Sequence, residues 1–185
     1  AYELKRKPIW YSVHVYKKAV SIPTAVTGLI YTGEEQTCVS VAAGMNDIYT
    51  LSDNTGIDAK GYTATATLTE NAFQNYCWQG RGEDQQTAEI SWSIAKRSVM
   101  VPNVFQTRQY QYNGAYHKIV SAPDGTNFEY VFPAEGKDVE GKFKESGIVA
   151  FTVTNGQAKD VGEYPIKATL ENENYQWVGT GNPAD

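Results

Sequence analysis

Whole stretches of this 185-residue chain recur along its own length. That recurrence constrains the fold more than any other feature, because a unit written twice must fold twice. Tyr31-Thr32-Gly33-Glu34 returns as Tyr112-Asn113-Gly114-Ala115, and Cys38-Val39-Ser40 returns as Ile119-Val120-Ser121. The run from Asp58 through Tyr62 and Ala66 to Leu68 returns from Asp160 through Tyr164 and Ala168 to Leu170. Tyr76-Cys77-Trp78-Gln79-Gly80 returns as Tyr175-Gln176-Trp177-Val178-Gly179. The second copy carries an insertion around Pro133–Ile148 that is rich in Gly, Lys and Glu.

Each copy reads as β structure. Tyr62 to Leu68 alternates strictly at period two, as a half-buried antiparallel strand does, and Ile90-Ser91-Trp92-Ser93-Ile94 does the same. Clusters such as Asp53-Asn54-Thr55-Gly56 separate these runs, and no window carries a capped helical period. Thirteen Tyr and four Trp against two Met favour strands over helices. Six or seven short strands in roughly 80–90 residues predict an immunoglobulin-like sandwich. The expected fold class is therefore all-β: two tandem sandwich domains, 19–97 and 98–185, preceded by an extra strand within 1–18.

These motifs resemble the tandem immunoglobulin-like repeats of Gram-positive bacterial surface proteins. The first copy carries the pattern in Tyr31, Gly33 and Gln36, in Asp58 to Leu68, in Tyr76 and Trp78, and in Ile90, Trp92, Ile94 and Lys96. It departs at Lys60-Gly61, where the repeats prefer Gly followed by a polar residue. The second copy departs further, with His117 in place of the Gln. The resemblance implies a sandwich fold, a location at the cell surface or outside the cell, and service as a stalk or spacer.

The copies are cut out of phase. The first ends in Ile90 to Arg97 and runs on into Val99-Met100-Val101-Pro102, whereas the second stops at Asp185 without such a strand. An orphan version, Ile9 to Lys18, stands at the start and runs into Val20-Ser21-Ile22-Pro23. Setting Pro23 on Pro102 sets Lys17 on Lys96, Ser12 on Ser91, Val13 on Trp92 and Val15 on Ile94. Three arrangements satisfy this phase. In the first, the leading strand of one molecule (Ile9, Trp10, Tyr11, Val13, Val15 and Lys17) fills the open edge of the second domain of the next. The result is a head-to-tail homopolymer, because a heterologous contact generates open filaments. Burying three or four of Ile9, Trp10, Val13 and Val15 at about 1.5–3 kcal/mol each would hold such a junction. In the second, the chain is a piece of a longer surface array, an adhesin or spacer. In the third, the leading strand folds back onto its own second domain. That would require it to cross the first domain without a linker, so the first arrangement is the expectation.

Charge agrees with a plug and a socket. The net charge of −5 divides into +4 over residues 1–18, −5 over 19–97 and −4 over 98–185. Opposite patches speed encounter and fix orientation, and an acidic sum argues against nucleic acid as partner. No apolar run is long enough to span a membrane, and no leader is present, so in an exported chain Ala1 would be the mature end.

The two cysteines, Cys38 and Cys77, are the candidates for one disulfide closing a loop of roughly 40 residues, with a stabilisation of roughly 3–4 kcal/mol. The competing reading is two small buried hydrophobes. Nothing predicts an enzyme. His14 and His117 sit in or beside strands with no positioned Ser or Cys, and pairs such as Glu34-Glu35 lie in turns. No cofactor motif occurs; calcium between acidic loops near Asp47, Asp53 and Asp58, or Asp124 and Asp138, rests on charge alone. Tyr110 and Tyr112, flanked by Gln109 and Gln111, are the candidates for stacking a surface glycan.

Overall fold

The computed structural model describes residues 9–104, 109–122, 125–134 and 137–179, whose regular elements are short β-strands and a single helical turn. They divide into two compact units. Unit one takes in Ala1–Val26, Thr37–Thr55 and Tyr62–Trp92; unit two takes in Thr27–Gln36, Gly56–Gly61 and Ser93–Asp185. Unit two thus gathers 27–36 and 56–61, which the repeat pattern assigns to the first copy.

The first strands are β1 (Lys18–Val20), β2 (Gln36–Thr37), β3 (Tyr49–Ser52), β4 (Thr55–Gly56), β5 (Gly61–Leu68), β6 (Tyr76–Trp78) and β7 (Thr87–Ser93). The alternation of Ala and Thr in β5 gives it one apolar face, on which Ala64, Ala66 and Leu68 are completely buried. It lies centrally, in the order β3-β5-β7, with Tyr49 opposite Leu68 and Ser52 opposite Thr65. In β7 the alternation buries Ala88, Ile90 and Trp92 and exposes the residues between. β1 runs parallel to β6, pairing Val20 with Trp78. The helical turn α1 (Glu70–Phe73) follows β5, its Thr69 hydroxyl accepting from the Ala72 N–H; a single turn is too short to show a period.

The later strands are β8 (Arg97–Met100), β9 (Asn103–Val104), β10 (His117–Lys118), β11 (Val120–Ser121), β12 (Phe128–Val131), β13 (Val139–Phe143), β14 (Val149–Thr154), β15 (Gln157–Ala158), β16 (Lys167–Leu170) and β17 (Tyr175–Val178). Four of them form a sheet in the order β12-β13-β14-β16. β13 belongs to the inserted segment, yet it lies inside this sheet, with Val139 and Phe143 in the core beside Phe128, Phe151 and Val153. Burying each such side chain contributes about 1.5–3 kcal/mol. Between them Gly141 faces the Phe151 ring, where a Cβ would collide with it. β8 runs parallel to β17, and its Arg97 pairs with Glu145 while lying over the Phe143 ring.

The same details recur at the positions the repeat relates. Tyr49 faces Leu68, and Phe151 faces Leu170. Val20 pairs with Trp78 and Val99 with Trp177, both in parallel register. Tyr49 meets Trp78 with centroids 5.4 Å apart at 61°, and Phe151 meets Trp177 at 5.3 Å and 61°. The two non-glycine residues with positive φ, Asp53 (54°) and Asn155 (57°), each follow one of these strands. Gln36 Nε2 donates to the Ile30 carbonyl at 3.0 Å, and His117 Nε2 lies 3.2 Å from the Gln111 carbonyl, so the histidine reproduces the glutamine's contact.

One expected element differs. Residues 9–17 carry no strand pairing, and the regular ladder begins only at Lys18. An extended segment without a neighbour has nothing to satisfy its N–H and C=O groups except water, so it forms no ladder alone.

Two stability outcomes follow. Gly141→Ala forces a methyl into Phe151 and should lower unfolding stability by about 1–3 kcal/mol, read from urea titration. The Tyr130 hydroxyl is buried without a hydrogen-bond partner among the described residues, and burial pushes its pKa well above the ordinary tyrosine value. Tyr130→Phe should therefore leave the urea midpoint unchanged or raise it, since an orphaned buried hydroxyl carries a desolvation cost of about 1–3 kcal/mol.

Candidate functional site

A run of large apolar side chains stands in water at Ile9–Tyr16. Trp10 is 88% exposed, Val13 and Val15 are each 87% exposed, and Ile9, Tyr11 and Tyr16 are nearly as open. Scattered exposed apolar residues are ordinary, but a contiguous set marks an interaction surface. Within it the only ring contact is His14 with Tyr16, at 4.4 Å. Lys17 ends the free stretch. Its ammonium donates to the Glu83 carbonyl at 2.8 Å and lies 3.9 Å from the centre of the Phe73 ring, so it is held by its own unit. Of the six residues expected to form a donor strand, Ile9, Trp10, Tyr11, Val13 and Val15 are free and Lys17 is anchored. The basic cluster Lys5, Arg6 and Lys7 lies outside the described residues.

A complementary feature occurs in unit two. In unit one β5 has a strand on each side, whereas its counterpart β16 has β14 on one side and, among the described residues, none on the other. The consequence is visible in burial. Ala66, Leu68 and Trp78 are completely buried, but Ala168, Leu170 and Trp177 at the related positions are only half-buried, as is Ile166 beside them. The Trp78 indole donates to the Gln86 carbonyl at 3.0 Å, just ahead of β7, while the Trp177 indole N–H has no partner among the described residues. Unit two thus carries an apolar face open along one sheet edge, with the unpaired backbone groups that edges present.

The remaining candidates are dispersed. Tyr110 donates its hydroxyl to the Lys118 carbonyl at 3.0 Å, with its ring 4.8 Å from His117, whereas Tyr112 is 62% exposed and has no ring contact among the described residues. Cys38 and Cys77 are both buried and both free thiols. Among the described residues no group of three or more His, Cys, Asp or Glu converges on a point; Asp138 accepts from the Thr154 hydroxyl at 3.0 Å, and Asp124 lies outside the described residues. No helix of the described residues is long and apolar enough to cross a membrane. Asn174 brings Asp58 and Ala59 together within unit two, a role that sequence pattern alone does not assign. Its signal is an Asn-Tyr pair at the start of both β6 and β17, Asn75-Tyr76 and Asn174-Tyr175.

No protein-family model, no curated protein and no solved structure matches this chain.

Burial pushes the Cys38 thiol above its ordinary pKa, which keeps it protonated and poorly nucleophilic at neutral pH. Native protein at pH 7.5 (a working value about a unit below the ordinary thiol pKa) should react with a thiol reagent only over hours. Both thiols should titrate at once in guanidinium; no titratable thiol there would mean that Cys38 and Cys77 are joined.

Proposed function

We propose that this chain is a structural subunit of an extracellular filament or surface fibre, linked head to tail. Each subunit comprises two immunoglobulin-like repeats, and residues Ile9–Tyr16 of one copy add as a strand to the free edge of β16 in the next. The observation that carries the reading is a match between what β7 does and what the leading segment offers. With Val13 set on Trp92 and Val15 on Ile94, the alternation sets Tyr11 on Ile90 and Ile9 on Ala88. In the first repeat those four partners are the buried positions of the closing strand and the residue following it. The leading segment is therefore apolar at every position where a closing strand faces a core.

The chemistry supports the same mode. Strand addition takes affinity from backbone hydrogen bonds along an open edge and specificity from alternate side chains entering pockets. Half-buried Ile166, Ala168, Leu170 and Trp177 line the place where such side chains would enter. Lys17 fixes the root of the inserting segment to its own unit, so only the residues ahead of it are given to the neighbour. A second reading, a surface adhesin module or spacer that binds a glycan or another protein, draws on the exposed rings of Tyr110, Tyr112 and Tyr116.

The test is assembly of the purified chain. Wild-type protein should form filaments of constant repeat by negative-stain electron microscopy. Val13→Asp with Val15→Asp should leave monomers of unchanged circular dichroism, because two charges would enter an apolar groove. Filaments that persist in that variant, or monomers only in both proteins, would remove the reading.

A further inference from the structure

The contact that would seal such a junction already exists once, within unit two. There the Tyr31 ring stands edge-on against Tyr175, with centroids 5.4 Å apart at 85°. The Asn174 amide donates to the Asp58 carboxylate at 3.0 Å, and its oxygen accepts from the Ala59 N–H at 2.7 Å. Leu29 and Tyr31 exchange backbone hydrogen bonds with Ala95, at 2.8 and 2.9 Å, in a parallel bridge. Two segments of the first repeat, 27–36 and 56–61, are thereby fixed to the end of that repeat at Ala95 and to Asn174-Tyr175 of the second.

The repeat carries counterparts of these side chains a second time, and among the described residues they do not make these contacts. Tyr112 corresponds to Tyr31 and is 62% exposed; Val161 corresponds to Ala59 and is 88% exposed. Asp160 corresponds to Asp58; its backbone carbonyl accepts from the Tyr164 hydroxyl, but its carboxylate has no partner among the described residues. The receiving side is also duplicated: Asn75 and Tyr76 correspond to Asn174 and Tyr175, and the Asn75 side chain is exposed, with no partner among the described residues. Tyr16, the last residue of the free segment, takes the place of Ala95. An exposed Val, an open Tyr ring and a carboxylate without a partner among the described residues thus stand in unit two, and the amide and ring that would match them stand in unit one.

We propose that Tyr112, Asp160 and Val161 form a docking surface for a second copy of this chain, and that they engage its Asn75 and Tyr76. This rests on the head-to-tail reading above and deepens it. In the junction the Asn75 amide donates to Asp160 of the neighbouring copy and accepts from the Val161 N–H, while the Tyr112 ring meets Tyr76 edge-on. Strand insertion and this contact then act together: the first joins the copies, and the second sets the angle between them.

The full chain tests it, with light scattering against concentration giving the threshold at which polymer appears. Asn75→Asp sets a carboxylate against Asp160 and should raise that threshold about tenfold, since like charges at an interface are repelled and each 1.4 kcal/mol is a factor of ten. Tyr112→Ala should raise it by a similar factor. Asn75→Asp combined with Asp160→Asn restores an amide–carboxylate pair and should return the threshold to within about twofold of wild type. Asn75 and Tyr112 are exposed, so unchanged circular dichroism checks that each variant folds. Thresholds unmoved by Asn75→Asp and Tyr112→Ala, with polymer still abolished by Val13→Asp/Val15→Asp, overturn the docking surface and leave strand insertion standing. A combined variant as weak as Asn75→Asp alone also overturns it. Tyr112→Ala that loses glycan-array binding at an unchanged threshold assigns the ring to a sugar instead. Wild-type protein that forms no polymer overturns both proposals.

Discussion

A β-sheet edge is the constraint on which the rest of this molecule depends. Backbone N–H and C=O groups along an edge need partners, and side chains beneath it need a cover. Unit one meets both demands with β7, whose alternating Ala88, Ile90 and Trp92 cover the face of β5. Unit two builds the corresponding strand as β16, supports it on β14, and leaves the other side without a partner among the described residues. The contrast between completely buried Leu68 and half-buried Leu170, on strands of matching register, measures what the missing cover does.

The counterpart of that edge is a segment with the opposite deficit. Ile9–Tyr16 has apolar side chains and backbone groups but no sheet to join. Each feature alone is a liability for a chain in water, one as an aggregation template and the other as an exposed apolar run. In the proposed junction each would supply what the other lacks. The anchoring of Lys17 on Phe73 and Glu83 separates the free segment from the folded unit at a defined residue.

Much of this was legible in the sequence, and the exceptions have physical reasons. The Thr–Ala alternation of 62–68 marked β5, and the paired turn residues marked matching bends, since Gly33 and Gly114 both take positive φ, as do Gly80 and Gly179. The inserted stretch concealed β13, because Gly141 replaces a side chain at one core position while Glu140 and Lys142 supply charge between them. Its alternation of Val139, Gly141 and Phe143 was present but weak. The turn at Glu70–Phe73 is too short for any period to register. At the candidate site the sequence pattern raised an extra strand within 1–18 and an open edge as expectations; among the described residues, 9–17 forms no ladder, and β16 has a strand on one side. The pattern could not mark the Asp58–Asn174 contact, because that pairing joins residues far apart in the chain through a geometry only the fold supplies.

The parallel pairing of β1 with β6 has a mechanical consequence. Tension applied to the leading segment would draw β1 along its own axis, towards its amino end, while the body of the unit pulls β6 the other way. The backbone hydrogen bonds between the two lie across that direction, so every rung is loaded at once instead of opening in turn like a zip. β8 against β17 repeats the geometry in the second unit. A copy pulled by its leading segment would therefore meet stretching forces with its rungs in shear, the orientation in which a short ladder resists longest.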